Sequence, residues 1–103
     1  MRYIERMPKL DLESVQDLVR AADIEGFIAE GDPADEYDPE ERHLFAALAQ
    51  WPSSQFTKAN VLPVIVELWR KSFSLDDADL SKRLDKMDGL AAQIVHFFGA
   101  HND

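Results

Sequence analysis

Residues 60–73, NVLPVIVELWRKSF, decide how the rest of the chain must be arranged. Wound at 3.6 residues per turn, the apolar Val61, Leu62, Val64, Ile65, Val66, Leu68, Trp69 and Phe73 cover most of a helix's circumference, and only Glu67, Arg70 and Lys71 form a polar strip. That pattern predicts a helix wrapped by others on most sides, and hence a bundle built around it. Pro63 bears on where it starts. With Asn60 as N-cap the proline is the third helical residue, where its missing N–H costs nothing; with Thr57 as N-cap it lies deeper and bends the helix. The start is placed between 57 and 60.

The segments on either side read as helices too. Upstream, Asp11 is an N-cap, and Leu12, Val15, Leu18, Val19 and Ala22 fall on one stripe, predicting a helix over 11–23. Residues 23–31, DIEGFIAEG, read as a short second helical piece that turns Phe27 and Ile28 inward and ends at Gly31. Residues 32–39, DPADEYDP, are a loop, because the residue before each proline is driven out of the helical region. Asp38 then reads as an N-cap, Pro39 as the first helical residue and Glu41 as the capping-box partner of a helix over 39–50 that buries Leu44, Phe45, Ala47 and Leu48. Downstream, SLDDAD places three aspartates at a helix start, and Leu80, Leu84, Met87, Ala91, Ile94 and Phe98 make the stripe of a helix over 77–98, stopped at Gly99. The fold class is all-α: one domain, 1–103, with residues 1–10 as a lead-in and four to five helices around the central one.

Composition narrows function mainly by exclusion. With 103 residues, 46% hydrophobic and 30% charged, the chain can bury a core unaided. No cysteine is present, which rules out disulfides, thiol catalysis and cysteine-based metal sites. No apolar run is long enough to span a membrane, and the N-terminus lacks the apolar core of a signal peptide, so a cytoplasmic protein is expected. The net charge of −9 is unevenly placed. Residues 1–10 hold three basic residues and one acidic, residues 11–41 one basic and twelve acidic, and residues 42–103 seven of each. That distribution argues against nucleic acid or an anionic membrane as partner and permits a basic protein partner.

Asp32, Asp35, Glu36, Asp38, Glu40 and Glu41 crowd one loop and one helix start. Their spacing is not that of a calcium loop, and nothing in it buries one acid in an apolar pocket for acid–base chemistry. Asp35 and Asp38 are expected to bond local backbone amides and Tyr37 to anchor the loop on the core, leaving Glu36, Glu40 and Glu41 outward. His43, His96 and His101 include no pair at helical zinc spacing, and no phosphate loop or nucleophile–base pattern is present. No catalytic residue, metal or cofactor is assigned. Trp51, beside a Pro-Ser-Ser loop, is a residue type common at interfaces.

Within residues 24–41, the residues Gly31, Pro33, Asp35, Glu36, Tyr37 and Asp38 resemble the signature of a small helical bacterial family, the YugE-like domain. The similarity extends through the central helix to Trp69 and Phe73, covering roughly residues 24–73. It implies a helical fold and no established activity. Related acidic helical proteins resemble immunity proteins of bacterial toxin systems. The expectation is therefore a non-catalytic protein that binds a basic partner, such as a toxin, through Asp32, Asp35, Glu36, Tyr37, Glu40, Glu41 and Trp51. The alternative is a stand-alone structural or regulatory domain that self-associates.

Overall fold

The computed structural model describes residues 10–99. Four α-helices carry the fold: α1 (Leu12–Ala22), α2 (Asp38–Leu48), α3 (Lys58–Phe73) and α4 (Asp77–Phe98). Single 3-10 turns, Ala34–Tyr37 and Ser53–Gln55, precede α2 and α3, and no strand occurs among the described residues. Each helix packs on its neighbours in sequence, and α4 closes the ring by packing on α1. The chain is an all-α bundle.

The helix starts follow their capping chemistry. The Asp11 side chain accepts the Ser14 amide at 2.8 Å. The Thr57 hydroxyl accepts the Asn60 amide at 3.2 Å, so Thr57 caps α3. Asp76 and Asp79 exchange side-chain-to-backbone bonds in a reciprocal box at the start of α4. Pro63 therefore lies inside α3, but on its exposed side, where solvent can reach the carbonyl of Ala59 that loses its amide partner.

The core is one cluster in which every helix takes part: Val15 and Val19 from α1, Leu44 and Leu48 from α2, Val61, Ile65 and Trp69 from α3, and Met87, Leu90, Ala91, Ile94 and Phe98 from α4. In α3 only the line Val61–Ile65–Trp69, at i, i+4 and i+8, is buried. Leu62, Val64, Val66 and Leu68 are half-buried, while Pro63, Glu67, Arg70 and Lys71 are exposed. The expectation of a helix sheathed on most sides is thus corrected: a bundle this small covers α3 on the flanks facing α2 and α4 and leaves its outer side open. Ala47 and Leu84, expected inside, are exposed for the same reason, since each lies at the edge of its helix's buried stripe.

Two other expectations change. Residues 24–31 form turns rather than a second helix. Helix α1 stops because Asp23 takes a left-handed conformation (φ 47°, ψ 54°). A single turn follows, with the Glu30 amide on the Gly26 carbonyl, and ends with the Gly31 amide on Ile28 and the Asp32 amide on Phe27. That paired closure requires the positive φ of Gly31, 91°. Likewise Asp38 is not a cap but is itself helical (φ −53°), with its amide bonded to the Asp35 carbonyl. The 3-10 turn runs straight into α2 and supplies from the backbone what a capping side chain would have supplied.

Gly89 inside α4 and Gly99 just past its end should respond to alanine in opposite directions. At Gly89 a methyl group would meet nothing within 4 Å, so Gly89→Ala should raise stability by about 0.5–1 kcal/mol. At Gly99 it would lie 2.6 Å from the Val95 carbonyl oxygen and 2.9 Å from that of Phe56. Gly99→Ala should cost about 1–3 kcal/mol, and thermal melts of the two variants should move to either side of the parent.

Candidate functional site

The acid-rich segment between α1 and α2 is organised by one buried side chain. Tyr37 is fully buried, and its hydroxyl donates to Asp23 Oδ1 at 2.7 Å while accepting the Glu25 amide at 2.9 Å. Asp23 is saturated with donors: Oδ1 also accepts the Ile28 amide at 3.0 Å, and Oδ2 accepts the Ala29 amide at 2.9 Å. Burial alone would raise the Asp23 pKa, but the Tyr37 hydroxyl and the two amides outweigh it and hold the carboxyl below its usual range. Tyr37 is pushed well above its ordinary value, first by burial and then by its bond to Asp23. Both groups therefore keep their neutral-pH charge states, which suits a structural clasp.

The Tyr37 ring ties this clasp to the core. It lies 5.2 Å from Phe27 and 6.2 Å from Trp69, and Phe73 closes the circuit at 5.8 Å from Trp69 and 6.0 Å from Phe27. Two bidentate arginine–carboxylate pairs add lateral ties. Glu25 is held by Arg83 of α4 at 2.7 and 2.9 Å, and Glu41 of α2 by Arg20 of α1 at 2.9 and 3.1 Å. Lys86 of α4 also donates to the Asp23 carbonyl at 3.1 Å.

These ties divide the residues expected to meet a partner. Asp32, Asp35 and Glu36 are exposed and make no side-chain hydrogen bond or ion pair with another described residue. Glu30 is exposed beside them, so the loop carries four outward carboxylates. Tyr37 and Glu41 are fully buried and Glu40 is 8% exposed, so none of the three presents a surface to a partner. The cause is local: Tyr37 serves the clasp, Glu41 neutralises Arg20, and Glu40 is turned toward Ser72 of α3. Asp38 bonds no backbone amide through its side chain but pairs with Arg42 at 2.8 Å. Trp51 is half-buried against Phe56, ring centres 5.6 Å apart.

Sequence reasoning missed Asp23, Glu25, Arg20 and Arg83. One signal was available: Arg20 is the only cation among the twelve acids of residues 11–41 and was bound to be claimed by one of them. Nothing in the local pattern marked Arg83, which lies 58 residues from Glu25. Among the described residues there is no cluster of three or more side chains able to hold a metal ion and no helix long and apolar enough to cross a membrane. No family model, curated protein or solved structure matches the chain.

The clasp and the buried Glu40 lead to opposite expectations. Tyr37→Phe should cost about 1–3 kcal/mol, because the Asp23 carboxylate and the Glu25 amide each lose a buried partner; the urea midpoint should fall with the slope unchanged. Burial lifts the Glu40 carboxyl above its usual range, against the opposing bonds from its own amide and the Ser72 hydroxyl. With its pKa higher folded than unfolded, Glu40 contributes stability at low pH that is lost as pH rises through the folded value. Glu40→Gln should therefore stabilise the protein at neutral pH, with a gain that shrinks toward about pH 4. Urea titrations at the two pH values measure the difference.

Proposed function

We propose that the chain is a non-catalytic acidic helical protein that binds a basic protein partner through the loop bearing Glu30, Asp32, Asp35 and Glu36. One observation carries the reading: four exposed carboxylates within seven residues, without a countercharge among the described residues, on a loop clasped to the core. A fixed loop loses little freedom on binding, so its charge is available for recognition. Exposed ion pairs are worth about 0.2–1 kcal/mol each, so four would steer the encounter and set its specificity rather than supply all the affinity. The resemblance of residues 24–73 to YugE-like domains, and of related acidic helical proteins to immunity proteins, supports a bacterial toxin as the basic partner and the cytoplasm as the place of binding.

The test uses the chain and its triple variant Asp32→Asn, Asp35→Asn, Glu36→Gln as bait in lysate of the source cell. The parent should retain a basic protein at low ionic strength and lose it as salt shortens the screening length to about 8 Å or less. The variant should fold and not retain that protein. Equal retention by both, or retention indifferent to salt, refutes the reading.

A further inference from the structure

A groove between α1 and α4 begins where the described part of the chain begins. Leu10 is half-buried against the core, and Asp11, in extended conformation, caps α1 by accepting the Ser14 amide at 2.8 Å. Ser14, Asp17 and Leu18 line the near end of the groove with Phe97 and Phe98 of α4, and Phe97 is 44% exposed there. Past Leu18 the groove continues over Ala21, Ala22 and Gly89, which are too small to fill it. A methyl group added at Gly89 would meet no atom within 4 Å. The α1 rim is acidic: Glu13 and Asp17, one turn apart, are exposed and form no ion pair with another described residue.

We propose that this groove is the seat of the chain's own residues 1–9, which precede the residues the structure describes. Their sequence, MRYIERMPK, interleaves the apolar Tyr3, Ile4 and Met7 with three cations, Arg2, Arg6 and Lys9, against one acid, Glu5. An apolar floor and an acidic rim complement both of those chemistries. The reach is sufficient: from Ser14 to Ala22 the groove follows α1 for about 12 Å, and nine residues span up to about 30 Å. Seated there, Met7 meets the Phe97 end, and Tyr3 and Ile4 fall toward the hollow at Gly89. The segment is joined to α1 at the groove's mouth, so its effective concentration is on the order of millimolar. A contact too small to hold a separate molecule is then enough.

Limited trypsin digestion of the full chain tests this, with cleavage after Arg6 followed by mass spectrometry. Phe97→Ala removes the apolar wall of the groove, and Gly89→Leu fills its hollow. Each should speed cleavage after Arg6 at least about tenfold, because the rate follows the population of the released segment. Cleavage after the exposed Arg42 should keep the parent rate in both variants. Leucine favours a helix over glycine, so Gly89→Leu should not lower the urea midpoint, and faster cleavage in that variant cannot come from unfolding. Glu13→Gln combined with Asp17→Asn should speed cleavage about two- to fivefold, the range of exposed ion pairs. An unchanged rate after Arg6 in either groove variant overturns the proposal. So does protection that rises with protein concentration from micromolar to millimolar, which would assign the groove to another copy. The acidic loop is untouched by these variants, so the outcome is independent of whether that loop binds a basic partner.

Discussion

The hydrogen bond from the Tyr37 hydroxyl to Asp23, 2.7 Å long and fully out of solvent at the tyrosine, is the constraint from which the rest of the structure is laid out. Asp23 ends α1 in a left-handed conformation, and Tyr37 is the last residue before α2. The bond therefore holds the exit of one helix against the entry of the next. It also places the tyrosine ring between Phe27 and Trp69, so the same side chain ties the connection between α1 and α2 to the C-terminal half of α3. Buried polar groups are costly unless all their bonds are made, and here hydroxyl, carboxylate and amides satisfy one another. Trp69 is the exception in this neighbourhood: its indole nitrogen is buried without an acceptor among the described residues, and nothing in the structure explains it.

The helices were legible in the sequence where local chemistry and periodicity agreed. Helix α4 ends at Phe98 as its stripe requires, and α1 starts at the residue after Asp11. The reading failed where distant residues decide. Glu41 has the spacing of a capping-box partner, yet Arg20, 21 residues earlier, claims it. Residues 24–31 have the apolar spacing of a helix, but the Asp23 carboxylate takes the Ile28 and Ala29 amides and commits the backbone to turns. Of the exposed half of the candidate site, Glu36 was legible as an outward acid, whereas Asp35, expected to bond local backbone amides, is exposed and bonds none among the described residues. The buried half was not legible, because charge alone does not tell a solvated acid from one that meets an arginine across the bundle.

The segment from Gly31 to Asp38 can be taken side chain by side chain. Gly31 supplies the positive φ that closes the turn, Tyr37 the clasp, and Asp38 an ion pair along α2. Asp35 and Glu36 lie on the outside of the 3-10 turn and serve none of these ends. Folding thus accounts for Gly31, Tyr37 and Asp38, and Asp35 and Glu36 are what a functional explanation must address.

The clasp has an evolutionary corollary. Because the frame of the loop is held by interior atoms at Asp23, Tyr37 and Glu25, its outward positions 30, 32, 35 and 36 carry no folding duty and can mutate at little thermodynamic penalty. A scaffold of this sort lets the charge of the loop drift one surface letter at a time while its architecture stays unchanged.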